Sequence, residues 1–299
     1  VVGTYGVPEF GTGFVRQMLE DTLPKTFAEL VRISGLSHGT DVWLNNAQEF
    51  IRQGTATLSE VITVRDDIMN YLIDNGMEKG VAFKIMEFVR KGKPSKEPEQ
   101  WEKYSDMMKE KNVKEWYIES CKRIKYMFPK GHATAYVMMA MRIAYFKIHY
   151  PLAFYAAYLT RKIEDFDFEI MGNKDLAKAK LAELSKEPKL DVKKKTQVAI
   201  CEIVVEMYAR GFEFLGIDLY KSEGFRFTVE DGKVRVPLMG IAGLGASVVD
   251  NILNERNIDK FISYEDLKRR TKMSSTVLEK LKSLNAVKDL SETNQISLF

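Results

Sequence analysis

The chain has 299 residues and a net charge of +3, with 45% hydrophobic and 29% charged residues. These fractions are typical of a folded globular protein and exclude a disordered chain. No apolar run of about 18 residues, the length of a transmembrane helix, is present. Cys121 and Cys201 are too few for a disulfide framework or a cysteine zinc site, so we expect a cytoplasmic protein. The chain starts at Val1 with neither an initiator Met nor a signal peptide, so we expect a fragment of a longer protein.

Short helices, broken by glycine and proline, are predicted for the first part of the chain. Apolar side chains recur there at helical spacing, in residues 14–19, 27–33, 63–74, 82–89 and 101–111. The polar run from Ser34 to Thr40 is predicted to be a loop. Residues 133–146 are apolar nearly all round, which indicates a helix that is packed on most of its sides.

The second part of the chain is more polar at first and then contains the only strand signal. Residues 164–197 are rich in lysine and are interpreted as a connector. Residues 225–229 and 234–237 flank Glu230-Asp231-Gly232, which predicts a β-hairpin with an Asp-Gly turn. Two further helices and a polar tail complete the chain, so the predicted fold class is mainly α.

The window from Ser120 to Ile163 contains neither Asp nor Glu. Two histidines, His132 and His149, and many aromatic residues lie in it. Its basic residues are Lys122, Arg123, Lys125, Lys130, Arg142, Lys147, Arg161 and Lys162. A positive surface that offers rings suits phosphates and bases. The alternative is a buried helical core whose few charges happen to be basic.

Residues 239–247 resemble a helix-hairpin-helix signature, with Gly243, Leu244 and Gly245 at its centre. Glycines let the backbone approach a ligand, and the N–H groups at the start of the next helix favour a phosphate. We therefore predict a DNA-backbone contact at this turn. Nearby basic residues predicted to join it are Lys268, Arg269 and Arg270. A dinucleotide fingerprint is excluded because the glycines are in the wrong order, and an ordinary glycine turn that caps a helix is the alternative.

The last five residues, QISLF, resemble the bacterial clamp-binding pentapeptide. An exposed Leu-Phe pair at a chain end has no stabilising role of its own. Gln295, Leu298 and Phe299 are therefore predicted to bind a sliding clamp. The alternative is a tail that folds back on its own domain.

Four longer segments resemble one polymerase family. YMFPKGHATAY at 126–136 and RIAYFKIHYP at 142–151 are similar to the fingers of C-family DNA polymerases. GVPEFGT at 6–12 and ISGLSHGTDVW at 33–43 narrow the resemblance to the PolC type, the bacterial DNA polymerase III alpha subunit. The resemblance covers essentially the whole chain, although Gly131 and Thr134 replace alanines expected in the family.

The resemblance implies a C-terminal part of a replicative DNA-directed DNA polymerase. It implies a helical fingers domain over 1–160, a connector over 161–197, a duplex-binding domain with a β-hairpin and helix-hairpin-helix elements over 198–290, and a clamp-binding tail over 291–299. In such fingers, Lys130, His132, Tyr136 and Arg142 are predicted to contact the incoming dNTP or the template. The expected partners are primer–template DNA, dNTP, the sliding clamp and other replisome subunits, with no membrane.

Asp165 and Asp167 look like the carboxylate pair that binds two metal ions in a polymerase. In the family, however, the catalytic aspartates lie in the palm, so this pair is interpreted as a solvated face or a helix start. We expect Mg²⁺ in the full-length enzyme and no metal or catalytic residue in this chain. The alternatives to a polymerase are a non-catalytic helix-hairpin-helix DNA-binding or architectural protein and an interaction scaffold that uses the tail alone.

Overall fold

The computed structural model describes residues 2–293, and they are mainly α-helical, as predicted. The chain divides into two compact units between Ile143 and Ala144, within helix α8. The helices of the described chain are α1 (Gly13–Thr22), α2 (Phe27–His38), α3 (Gln48–Arg52), α4 (Arg65–Asp74), α5 (Lys79–Arg90), α6 (Pro98–Glu110), α7 (Glu115–Arg123), α8 (Lys130–His149), α9 (Pro151–Thr160), α10 (Phe168–Met171), α11 (Lys174–Ser185), α12 (Val192–Ala209), α13 (Ala246–Ile258), α14 (Tyr264–Thr271) and α15 (Ser275–Ser283). None of the helices within residues 2–293 combines the length and apolarity needed to cross a membrane.

Helix α2 is longer than predicted, because the run from Ser34 to His38 is helical and not a loop. A capping box between Thr26 and Glu29 starts the helix. Ser34 and Gly35 are buried within it, and a Cβ on Gly35 would lie 2.6 Å from the Thr63 carbonyl oxygen. The polar and small residues of this run therefore serve close helix packing, which local composition does not reveal.

The segment before α8 is held by backbone contacts with three other elements. Thr40, just after α2, forms an antiparallel bridge with Tyr126. The Met127 N–H donates to the Arg90 carbonyl at the end of α5, at 3.2 Å. The Arg65 N–H at the start of α4 donates to the Phe128 carbonyl at 3.1 Å. These contacts fix where α8 begins.

Helix α8 is mostly exposed, so the prediction that it is packed on most sides is wrong. In the first unit, its fully buried residues are Ala133, Val137 and Ala140, which form one narrow stripe at helical spacing. The large exposed side chains of α8 are Tyr136, Met138, Met139, Met141, Tyr145, Phe146 and Ile148. An apolar pattern shows which side chains favour burial, but it does not show whether the neighbours that bury them belong to the same chain.

A buried polar network lies in the second unit. The Lys147 ammonium is 2.8 Å from the Glu206 carboxylate, and burial lowers the pKa of Lys147. The Tyr155 hydroxyl donates to Glu206 at 3.1 Å and accepts from Arg210 at 3.0 Å. Burial raises the pKa of the Tyr155 hydroxyl well above its usual range. The network joins the last turns of α8 to α9 and α12.

A small sheet follows α12 and contains the predicted hairpin. Strands β2 (Thr228–Glu230) and β3 (Lys233–Arg235) are antiparallel, with Glu230 opposite Lys233. Asp231 and Gly232 have φ values of 50° and 73°, the pair of positive angles that a type I′ turn requires. A third strand that the sequence did not predict, β1 (Phe214–Leu215), pairs in parallel with β3.

The predicted domain boundaries at residues 160 and 197 stay predictions. Helix α12 runs without a break across residue 197, where the connector was predicted to end. One of the further helices predicted after the hairpin corresponds to α15, with Ser274 as its N-cap.

Candidate nucleic-acid interface

A cluster of rings lies at the start of α8. His132 and Tyr136, one turn apart, have ring centroids 4.6 Å apart. Phe128, just before the helix, stacks on His132 at 4.9 Å. His38, at the end of α2, lies 6.2 Å from His132 and 6.5 Å from Tyr136. The structure thus brings together two predicted nucleotide-binding residues and adds two rings that were not predicted to join them.

Both nitrogen atoms of the His38 ring lie close to an oxygen atom of another residue. Nδ1 lies 2.7 Å from the Ser34 carbonyl oxygen, and Nε2 lies 2.8 Å from the largely buried Glu9 carboxylate. Glu9 itself has a positive φ of 68°, which is uncommon for a residue with a side chain. The orientation of His38 within the ring cluster is therefore fixed from two elements.

Polar contacts also hold the start of α8. The Lys130 N–H donates to the Asp66 carboxylate at 2.6 Å, which satisfies one of the unpaired N–H groups of a helix start. Beside it, hydrogen bonds from Arg90 lower the pKa of Glu87 to about 2. That carboxylate also lies 3.0 Å from the Lys91 ammonium and 3.8 Å from the Arg65 guanidinium. Some of the basic charge near the ring cluster is thus neutralised within the chain.

The other two predicted nucleotide-binding residues do not join the ring cluster. Lys130 is exposed and lines a cavity of about 370 Å³ together with Arg32 and Lys114. Arg142 lies about 18 Å further along the helix axis than Lys130 and about a third of a turn round, at ~3.6 residues per turn. The two basic side chains therefore start too far apart on the helix to contact a single phosphate together. Their roles stay predictions.

A tight glycine turn precedes α13 in the second unit. Ile241 and Leu244 are 1% and 2% exposed, and their side chains anchor the turn in the core. Gly243 has a φ of 89°, a conformation that disfavours any side chain. A Cβ on Gly243 or Gly245 would meet no atom within 4 Å. One side of the turn is therefore packed, and the glycine side faces open space.

Helix α13 starts without a side-chain cap. Gly245 is its N-cap residue, with an extended φ of −77° that any residue can adopt. The N–H groups of Ala246 and Ser247 have no acceptor within residues 2–293. Neighbouring helices are capped by Ser263 and Ser274. The chain's own fold does not require glycine at 245. A phosphate that came close to these N–H groups would require a residue without a side chain at this position.

Leu244 is held inside the glycine turn, and its DNA contact stays a prediction. Its side chain is buried, and its N–H donates to the Ile241 carbonyl at 3.1 Å. Leu244 therefore shapes the turn from inside, because neither its side chain nor its N–H is exposed to a ligand. DNA contacts of Gly243 and Gly245 stay predictions.

The Arg270 guanidinium is engaged within the chain, and its DNA contact stays a prediction. It donates to the Glu255 carboxylate at 2.9 Å and to Asp266 at 3.2 Å, and its side chain is 16% exposed. Arg269 pairs with Asp266 at 2.8 Å but keeps 73% of its side chain exposed. Burial alone would raise the pKa of Asp266, but hydrogen bonds from the two arginines hold it below its usual value.

The remaining predicted residues have different surroundings. Lys268 is exposed and donates to the Ser275 hydroxyl at 2.6 Å. Asp167 caps α10 by accepting from the Glu169 N–H at 3.0 Å, which confirms its interpretation as a helix start. Within residues 2–293, no group of three or more His, Cys, Asp or Glu side chains is arranged to hold a metal ion. The predicted clamp-binding residues Gln295, Leu298 and Phe299 lie outside the described residues.

Two family models match the chain. Residues 2–112 match the bacterial DNA polymerase III alpha subunit finger domain. Residues 211–296 match the helix-hairpin-helix motif, which confirms the helix-hairpin-helix elements predicted for the second part of the chain.

Curated relatives match the chain along its whole length. A protein named DNA polymerase III PolC-type is 56% identical in Thermotoga maritima and 53% identical in Clostridium perfringens, over 100% of the chain in both cases. The protein of the same name in Bacillus subtilis is 52% identical over 99% of the chain. The chain spans only 22%, 20% and 20% of the lengths of these relatives. The family resemblance seen in the sequence is confirmed.

The two neighbouring arginines should respond differently to loss of charge. We expect Arg270→Met to destabilise the chain by about 3 kcal/mol, because it leaves Glu255 without its guanidinium partner and the buried Asp266 with Arg269 alone. Arg269→Met, at an exposed position, should change stability by less than about 0.5 kcal/mol. Urea unfolding of both variants measures the difference. Equal stabilities would contradict a structural role for Arg270.

Proposed function

We propose that this chain, which belongs to the PolC-type DNA polymerase III family, supplies the fingers and a duplex-binding module of a DNA-directed DNA polymerase. In this proposal the first unit positions the incoming dNTP and the template, and the second grips the product duplex. The whole enzyme would act in the cytoplasm together with other replisome subunits.

The duplex grip is carried by the open start of α13. Its Ala246 and Ser247 N–H groups lack acceptors in the described chain, and the two glycines leave room for close approach. Such N–H groups and the positive end of the helix dipole bind phosphate without reading bases. This contact suits a polymerase, which must hold duplex of any sequence.

The nucleotide role is supported by the ring cluster. His132 is partly exposed and Tyr136 is 41% exposed on α8, and the rings of Phe128 and His38 lie beside them. Rings arranged in this way offer a stacking surface to a base. The segment from Ser120 to Ile163 contributes no acidic residue, and the two carboxylates beside the cluster, Glu9 and Asp66, lie against His38 and the Lys130 N–H.

The chemistry of nucleotide addition needs Mg²⁺ in such enzymes, and the described residues do not fit a site for it. No suitable cluster of ligands lies within residues 2–293, and Asp167 is engaged as a helix cap. We propose that the metal ligands belong to another part of the polymerase.

A non-catalytic helix-hairpin-helix DNA-binding protein is the alternative function. It shares the phosphate contact of α13 but has no use for a nucleotide-stacking surface. The whole-length similarity to PolC-type polymerases favours the polymerase.

Capping α13 should separate stability from DNA binding. We expect Gly245→Asp to stabilise the helix by a few tenths of a kcal/mol and to weaken duplex binding at least tenfold, since the carboxylate occupies the phosphate site and repels the phosphate. Gly245→Ser should show the same trend with a smaller loss. Fluorescence anisotropy with labelled primer–template DNA and thermal melting measure the two effects.

Asn254→Asp is the matched control for this test. It adds the same charge to an exposed position of the same helix, about 13 Å from Gly245 at ~1.5 Å per residue. Duplex affinity should change less than twofold in this control. A Gly245→Asp variant that binds duplex like the wild type would disprove the proposed grip.

Removal of the Tyr136 ring should weaken nucleotide binding. In a full-length PolC-type polymerase that carries this segment, we expect Tyr136→Ala to raise KM for dNTP roughly tenfold, because one base–ring stack is worth about 1–3 kcal/mol. The dissociation constant for primer–template should be unchanged. Met138→Ala, exposed on another side of α8, is the control, and an equal rise in KM for both variants would argue against the stacking role.

The C-terminal pentapeptide is proposed to tether the polymerase to the sliding clamp. This part of the proposal is supported by the sequence QISLF alone. We expect deletion of Leu298 and Phe299 to abolish binding to immobilised clamp and to leave duplex affinity unchanged. Clamp binding that survives the deletion, measured by surface plasmon resonance, would rule out the tail as the tether.

A further inference from the structure

We propose that Lys280 is a positioning residue of the glycine turn, and that Glu169 competes with the DNA phosphate for its ammonium group. This inference rests on the proposed duplex grip and adds a residue pair that limits its strength. Neither residue lies in the turn or in the helix that follows it.

The Lys280 ammonium joins two elements that are distant in sequence. From α15 it donates to the Ala242 carbonyl of the glycine turn at 2.9 Å. It also donates to the Glu169 carboxylate of α10 at 2.7 Å. An ammonium has three N–H donors, so these two contacts leave one donor for a further acceptor.

The backbone of the glycine turn is held by few side chains of its own. Ile241 and Leu244 fix it from the core, but Gly243 and Gly245 contribute no side chain that could hold it. Ala242 immediately precedes Gly243, and no other donor to its carbonyl oxygen is present within residues 2–293. By donating to this carbonyl, Lys280 keeps the turn in the conformation that exposes the α13 N–H groups. A site that is already in its binding conformation loses less conformational entropy when DNA binds.

The charge of Lys280 is balanced in the unbound chain. Its side chain is 29% exposed and that of Glu169 is 36% exposed, so both partners reach solvent at this pair. A phosphate at the α13 start would be attracted to the ammonium and repelled by the carboxylate. Glu169 therefore weakens the grip, which suits a protein that must slide along its duplex.

A purely structural ion pair makes the opposite prediction for Glu169. If the pair only stabilised the fold, loss of either partner would weaken DNA binding in parallel with stability. If Glu169 competes with phosphate, removal of its charge strengthens DNA binding. The sign of the Glu169 effect therefore separates the two roles.

The test uses the 299-residue chain and labelled primer–template DNA over a KCl series, with thermal melting of each variant. We expect Lys280→Met to weaken duplex binding at least tenfold and to reduce the slope of log affinity against log salt by about one, as for the loss of one phosphate contact. Glu169→Gln should strengthen binding about threefold or more. Lys280→Arg, which keeps the charge and the donors, should stay within about threefold of wild type.

Lys282→Met is the matched control. It removes a lysine from the same helix, where Lys282 pairs with Glu279 and Glu292 at 3.4 Å. Its salt slope should equal that of the wild type.

Two outcomes would overturn the inference. One is wild-type binding by Lys280→Met, and the other is weaker binding by Glu169→Gln. If Gly245→Asp has lost binding in the same assay, only the role of Lys280 and Glu169 fails. If Gly245→Asp also binds like the wild type, the proposed duplex grip fails with it.

Discussion

Helix α8 buries only a narrow stripe of side chains, and its position therefore depends on polar contacts near its two ends. At the start, the Asp66 carboxylate accepts the Lys130 N–H at 2.6 Å. Towards the end, the buried Lys147 ammonium is 2.8 Å from Glu206, since a charge removed from water must be paired. Most of the helix circumference has no packing role within the described chain, which allows Tyr136 and its neighbours to serve binding.

Basic residues in this protein divide into two groups that composition does not separate. Arg270 and Arg210 donate several hydrogen bonds inside the second unit and stabilise it. Arg269 and Lys268 remain exposed. Because the Arg270 guanidinium is paired with the Glu255 and Asp266 carboxylates, the charge that a nucleic acid meets is smaller than a count of lysines and arginines indicates.

At the glycine turn, the absence of side chains leaves one face of the backbone open. Ile241 and Leu244 anchor it on one side, and Gly243 and Gly245 leave the other side open. A glycine N-cap costs only a few tenths of a kcal/mol relative to a Ser or Asp cap. A site that binds phosphate must keep these N–H groups free of acceptors from the chain. The start of α13 is therefore less stable than the same helix start with a side-chain cap.

The sequence by itself determined the features that depend on neighbouring residues: the mainly α fold, most helix positions, the Asp231-Gly232 hairpin, the glycine turn and the family. Helical periodicity, turn residues and motifs act over a few positions and can be read locally. Only the tertiary structure decided that Ser34 to His38 continue α2, that Arg270 is engaged internally, and that His38 meets His132. These outcomes depend on contacts between residues far apart in the chain, whose partners no local spacing specifies.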